Sequence, residues 1–173
     1  MEIDSFETKN NEENITNIKI LKKNKLLKFF DNHDIEKIKN IAKIEQYEHL
    51  DSIIVLGESN RDIFAVIEGE VSVWAIIKGK SIEMIKLGPG TIIGDMNFVI
   101  PTRRTANVSA IDDVTIIRFP YKKMLPLLTE NQDIANKFFS AINLGLGEKT
   151  NQIINDYLKK FTAWISEKDK SNY

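Results

Sequence analysis

The 173-residue sequence contains no cysteine, which excludes disulfides, thiol catalysis and thiolate metal sites together. Histidine is nearly as scarce. His33 and His49 are the only two, too few for a convincing metal site, so both are assigned surface or capping roles. A formal net charge of −1 supplies no global attraction to nucleic acid or to an anionic membrane. The N-terminal stretch from Met1 to Asn14 lacks any apolar run and carries five acidic residues against one lysine, so neither a secretory signal nor an anchor is expected. A cytoplasmic protein without a membrane partner is the resulting expectation. What is present, 42% hydrophobic and 28% charged residues, suits one globular domain with a modest appendage.

Four segments follow one another. Residues 1–14 are polar, acidic and aperiodic, the composition of a disordered leader. Residues 15–45 read as N-terminal helices. Ile18, Leu21, Leu26 and Phe29 recur at helical spacing opposite five lysines between Lys19 and Lys28, and a second short helix covers Asp34 to Ala42 with Asn32 or Asp34 at its start. Over residues 46–120 short apolar stretches are punctuated by Gly57, Gly69, Gly79, Gly88, Gly90 and Gly94, the pattern of a small antiparallel barrel or sandwich. The clearest strand is Ile63 to Ala75, apolar at every odd position except Gly69, where another backbone is expected to pass closely. Lys78-Gly79-Lys80 suits a hairpin turn, Leu87-Gly88-Pro89-Gly90 a second turn, and strands resume at Asn107 to Ile111 and Val114 to Phe119.

Residues 121–173 return to a helical period. A short helix is expected from Tyr121 to Thr129 with Pro126 starting or interrupting it, then a longer one from Asp133 to Ser166. Phe138, Ile142, Leu146, Ile153, Tyr157, Phe161 and Trp164 form a stripe wide enough to bury against the barrel or against a second copy of itself. Gly145 and Gly147 weaken that helix by roughly 1 kcal/mol each relative to alanine, so a kink or break is expected there.

The stretch from Gly94 to Val108 carries the chemistry. Gly94 allows close backbone approach, residues 95–98 are suited to a helical first turn whose N–H groups face an anion, and Arg104 adds a planar fork that meets two phosphate oxygens. Asp95 repels phosphate, so its use is to accept from a sugar hydroxyl. Carboxylate for sugar and guanidinium for phosphate specify a nucleotide; a surface Asp–Arg ion pair is the alternative that spacing alone leaves open. Thr105 adds a hydroxyl able to donate to phosphate or to accept from a base amino group. Arg103, adjacent in a strand-like run, points to the opposite face and is expected in solvent.

Leu87-Gly88-Pro89-Gly90-Thr91-Ile92-Ile93-Gly94-Asp95-Met96 followed by Arg104-Thr105-Ala106-Asn107-Val108 resembles the phosphate-binding cassette of the cyclic nucleotide-binding domain family, which includes catabolite-activator-type regulators, kinase regulatory parts and nucleotide-gated channels. Asp62 to Val73 is similar to that family's glycine-bearing strand pair, and Gly57-Glu58 to the preceding turn. The resemblance spans roughly residues 25 to 165. It implies a mainly β fold with flanking helices: an eight-stranded antiparallel β-roll of the double-stranded β-helix or jelly-roll type, with N-terminal helices and a C-terminal helix pair. It further implies cyclic AMP or cyclic GMP as ligand, with Arg104 on the cyclic phosphate, Asp95 on the ribose 2′-hydroxyl, and Gly94, Met96 and Asn97 contributing backbone. Thr105 matches the version in cyclic-GMP-dependent kinases, where threonine contacts the guanine amino group; a bond to phosphate or backbone stays open. Tyr157, Phe161 or Trp164 is a candidate cap over the base, with helix packing or dimer contact the other reading. Three positions depart from the family pattern: Asp95 stands for the usual glutamate, Asn97 for a small residue, and Leu50-Asp51 for a Pro-Gly turn.

The expected function is a stand-alone sensor in which cyclic nucleotide moves the C-terminal helix and changes a protein-effector or homodimer surface. The alternative is a binding fold that has lost its ligand and serves as a dimerisation or docking module. A DNA-reading domain is not expected, because residues 121–173 are consumed by the family's own helices. Neither is an enzyme: a metal-dependent β-barrel oxygenase needs a histidine and carboxylate cluster that the β region lacks. No metal and no cofactor are expected, and no nucleic-acid partner.

Overall fold

A computed structural model describes residues 25–170. The expected leader at residues 1–14 and residues 15–24 of the lysine-rich helix expected over Ile15 to Phe30 lie outside the described residues, and the described end of that segment is not α-helical. A 3-10 turn at Lys25–Leu27 leads into α1 (Asn32–Lys39). Asp31 caps α1, accepting from Asp34 N–H at 2.9 Å while the Asp34 carboxylate accepts from Asp31 N–H at 3.2 Å. This reciprocal box makes Asp31 the cap, one residue before Asn32 and three before Asp34, the two caps the sequence suggested.

Eight antiparallel strands follow among the described residues: β1 (Lys43–Tyr47), β2 (Ser52–Ile54), β3 (Ile63–Glu68), β4 (Val71–Ile77), β5 (Lys80–Leu87), β6 (Ile92–Ile93), β7 (Asn107–Ala110) and β8 (Val114–Phe119). They form two four-stranded sheets, ordered β1-β8-β3-β6 and β2-β7-β4-β5. This is the β-roll the sequence pointed to. A short helix, α2 (Asp95–Val99), interrupts the roll between β6 and β7, and α3 (Tyr121–Glu130) and α4 (Gln132–Lys170) close the described chain.

The two sheets differ in what covers them. Phe64 and Val66 of β3 and Val114 and Ile116 of β8 fill the roll interior with Ile54, Val71, Leu87 and Val108. The opposite side chains, Ile63 and Ala65 of β3 and Ile117 and Phe119 of β8, pack beneath the helices with Leu26, Ile35, Met124 and Phe138. Strands buried on both faces lose the polar alternation of a half-exposed strand. The expected single strand from Ile63 to Ala75 is therefore two strands in different sheets. The chain crosses at Gly69, where an added Cβ would stand 2.3 Å from the Asp113 carbonyl oxygen, so the close backbone neighbour is real. Strand β1 was not legible because Lys43-Ile44-Glu45-Gln46-Tyr47 is a mostly exposed edge strand, paired only with β8.

Helix α3 continues through Pro126, which falls in its second turn. Helix α4 runs unbroken through Gly145 and Gly147, so a break is absent there. Burial of its early residues explains this: Ile134, Phe138, Ala141 and Ile142 lie against the roll, and tertiary packing outweighs the propensity loss. No helix among the described residues is long and apolar enough to cross a membrane.

Candidate functional site

Gly94, Asp95, Met96, Asn97, Arg104 and Thr105 all line one cavity of about 260 Å³. Its inner wall is apolar, made by Ile54, Val73, Ile85, Leu87 and Val108 of the roll, and α4 covers it with Leu146, Lys149, Thr150 and Ile153. Among the described residues, the only charged ones lining it are Asp95, Arg104 and Lys149.

Gly94 ends β6 and begins α2 at φ +78°, a left-handed conformation that favours glycine. A Cβ there would lie 2.6 Å from Arg104 Nη1 and 2.8 Å from the Asp62 carbonyl oxygen. The glycine therefore makes room for the arginine. Arg104 is 3% exposed and donates from Nη1 to the Gly94 carbonyl at 3.1 Å and from Nη2 to the Asp62 carbonyl at 2.6 Å. Its Nε has no partner, the one such buried side-chain atom among the described residues. Burial pulls the guanidinium below its ordinary value, opposed by the charges of Asp62 and Glu58, yet arginine keeps its proton in proteins. The result is a buried cation whose bonded partners are neutral carbonyls and whose Nε–H is unused.

The loop that presents Arg104 is braced from several sides. Asn97 Nδ2 lies 3.0 Å from the Thr102 carbonyl oxygen, 2.9 Å from Thr102 Oγ1 and 2.7 Å from the Arg103 carbonyl oxygen. A small residue here would leave these acceptors unmatched, so Asn97 has a structural task the sequence did not disclose. Arg103 is exposed, as expected, but donates to the Gly57 carbonyl at 2.8 Å, and Arg104 N–H donates to the Glu58 carbonyl at 2.8 Å. Arg61 donates to the Asn97 and Phe98 carbonyls at 2.9 and 2.7 Å and lies 3.9 Å over the Tyr121 ring, closing the C-terminal end of α2.

Asp95 is 3% exposed and is ion-paired to Lys149 of α4. Its other oxygen accepts from Met96 N–H at 3.1 Å, so that amide faces the carboxylate. Lys149 was missed in the sequence. The available signal was a charge set in the apolar stripe between Leu146 and Ile153. Asp62 was also missed as a junction: its Oδ1 accepts from Tyr121 N–H at 2.8 Å, and its Oδ2 accepts from Arg118 Nε at 2.7 Å. Tyr157, Phe161 and Trp164 are not brought to the cavity. They stack along the exposed outer part of α4, with centroids 6.2 and 5.8 Å apart in sequence order. Among the described residues no group of three or more histidine, cysteine or acidic residues is placed to hold a metal.

The site is thus a glycine-bounded turn and a buried arginine on a two-sheet roll, with a helix across an apolar cavity. The family profile of the cyclic nucleotide-binding domain matches residues 44–131, and the chain belongs to that family. A cyclic nucleotide-binding domain from Methylobacillus flagellatus KT superposes with a TM-score of 0.70 at 19% identity, covering 76% of this chain and 74% of that one. The catabolite activator protein of Thermus thermophilus gives 0.61 at 18% identity, covering 78% and 63%. The regulatory domain of Toxoplasma gondii PKA, crystallised with cAMP, gives 0.57 at 18% identity, covering 63% and 42%. At these identities the likeness is one of fold. No curated protein matches the chain.

Proposed function

We propose that this chain is a cyclic nucleotide sensor that binds cyclic AMP or cyclic GMP and passes occupancy to its C-terminal helix. One observation carries the reading: Arg104 is buried with an unused Nε–H at the wall of an apolar cavity. A buried donor without a partner costs roughly 1–3 kcal/mol, and a phosphate oxygen is the acceptor that recovers it while matching the charge. The apolar wall of Val73, Ile85 and Leu87 suits a base, Asp95 offers an acceptor to a ribose hydroxyl, and Thr105 stands where base or phosphate would meet a hydroxyl. The site is read as binding, not catalytic.

Transmission has a physical route. Phe98 of the cassette is 3% exposed and packs between Tyr121 of α3 and Phe138 of α4, with centroids at 5.2 and 5.1 Å. A shift of α2 on ligand binding presses on both helices at once. The readout requires that ligand favour one helix position, since equal affinity shifts nothing. Calorimetry with cyclic AMP and cyclic GMP tests the assignment: binding is expected in the natural protein and its loss in Arg104→Ala. Full affinity in the variant would remove Arg104 from the site.

A second reading rests on the outer half of α4, where Ile154, Leu158, Phe161 and Ile165 are each 41–52% exposed at alternating spacings of four and three. That spacing suits the seam of a helix pair and supports reading the protein as a homodimer through α4, with or without ligand. Leu158→Glu should convert the dimer to monomer in sedimentation velocity. A natural protein that sediments as a monomer at micromolar concentration would end this reading.

A further inference from the structure

Lys149 stands where the phosphate turn meets the covering helix. It projects from α4 one turn after Gly145, whose hypothetical Cβ would lie 3.4 Å from Ile92 Cδ1, so the helix backbone runs close over β6. Its ammonium donates to the Asp95 carboxylate and to the Ile92 carbonyl, the latter at 3.1 Å. An ammonium has three N–H donors, and two are used. The side chain is 17% exposed and lines the same cavity as Arg104.

The charge count of the lining is informative. Asp95 and Lys149 neutralise each other, which leaves the charge of Arg104 without a carboxylate bonded to it; the nearby Asp62 carboxylate is bonded to Arg118. The lining therefore carries one net positive charge, which a phosphodiester monoanion balances. Lys149 is tethered by Asp95 and Ile92, so less side-chain freedom is left to lose when an anion arrives.

We propose that Lys149 is a ligand-binding residue of this site, a second cation that meets the phosphate of the bound nucleotide from the covering helix. The inference rests on the cyclic-nucleotide reading of the cavity. It makes α4 a direct part of the binding site: the phosphate joins Arg104 of the cassette to Lys149 of the helix, while Asp95 keeps the ammonium aimed. Occupancy then adds a bond between the two bodies that have to move together.

Lys149→Met alone would leave Asp95 buried without its cation, a cost unrelated to ligand. The test is therefore made in the Asp95→Asn background, where no carboxylate is orphaned. Calorimetry with cyclic AMP and cyclic GMP should show Asp95→Asn/Lys149→Met binding at least tenfold more weakly than Asp95→Asn, with a shallower dependence on salt. Equal affinities in the two would overturn the role of Lys149 and leave the nucleotide reading intact. Absence of binding in the natural protein overturns both. Where Asp95→Asn alone abolishes binding, the salt dependence of Lys149→Met against the natural protein decides, and an unchanged slope counts against the proposal.

Discussion

The carbonyl oxygen of Asp62 accepts from Arg104 Nη2 at 2.6 Å, while the carboxylate of the same residue accepts from the Tyr121 amide that opens α3. One residue thus joins the buried arginine of the cavity to the first turn of the C-terminal helices. Arg118 holds that carboxylate in place, with Nη2 2.5 Å from Oδ2, and Glu45 pairs with Arg118 at 3.3 Å on its other side. The joint is made of the backbone and side chain of a single aspartate, with no intervening loop between the partner of Arg104 and the partner of Tyr121.

Asp62→Ala removes the acceptor from Tyr121 N–H and the partner from Arg118. A stranded, largely buried donor costs about 1–3 kcal/mol, and the half-exposed Arg118 adds little because water solvates it. Urea unfolding should show a loss in that range, and Asp62→Asn, which keeps an acceptor oxygen, a smaller one. Unchanged midpoints in both would mean that this junction does not bear on stability.

Gly94→Ala places a methyl group 2.6 Å from Arg104 Nη1 at a backbone φ of +78°. Strain of this kind costs of order 1–3 kcal/mol, and the guanidinium must shift from its two carbonyls to relieve the contact. The variant is expected to lower the thermal midpoint and to weaken cyclic nucleotide binding together. Loss of stability with full affinity would show that Arg104 accommodates the methyl group without leaving its ligand position.

Leu50 has φ +71° and is 72% exposed, in the Leu50-Asp51 turn that departs from the family pattern. A left-handed leucine costs roughly 1–2 kcal/mol and its exposed side chain returns little. Glycine relieves the strain and offsets part of the gain through its freer unfolded chain. Leu50→Gly should therefore stabilise the protein by about 0.5–1 kcal/mol, read from the denaturant midpoint. Destabilisation would mean that Leu50 has contacts worth more than its strain.

Burial, aided by a 2.8 Å hydrogen bond to Glu45, pushes the Tyr47 phenol up to about 12. The folded state holds this proton more tightly than the unfolded chain, whose tyrosine titrates near pH 10. The associated stability is complete below about pH 10 and is lost as pH rises through about 12. Phenolate absorbance should show one tyrosine titrating about two pH units late, and Tyr47→Phe should remove that step alone. A uniform titration near pH 10 in the folded protein would contradict the assignment.

The sequence pattern was most informative where one side chain or one turn decides the matter. The resemblance over Leu87 to Val108 singled out six residues, Gly94 to Asn97 with Arg104 and Thr105, and all six line one cavity. Turn glycines and alternating apolar runs located β3 and β4 as one run, and β7 and β8, because pleat and turn geometry act over a few residues. Alternation could not reveal that Ile63 to Ala75 is two strands, since the pattern runs on through the corner at Gly69 while the sheet partners change. The aromatic stripe of α4 was visible, but where the roll stops covering it was not. Phe138 is buried and Trp164 half exposed.

By itself, then, the sequence determined the local chemistry: the absence of thiols, the strand and helix periods, and the glycine, acid and arginine of the Gly94 to Arg104 segment. Only tertiary structure decided what each group meets. Asp95 and Lys149 are 54 residues apart and become a pair because α4 folds back over β6, and Asp62 joins Arg104 to Tyr121 because three separate strand ends converge. The physical reason is range. Backbone preference and side-chain period act over a few residues, whereas the partner of a buried charge is set by packing between elements distant in the chain.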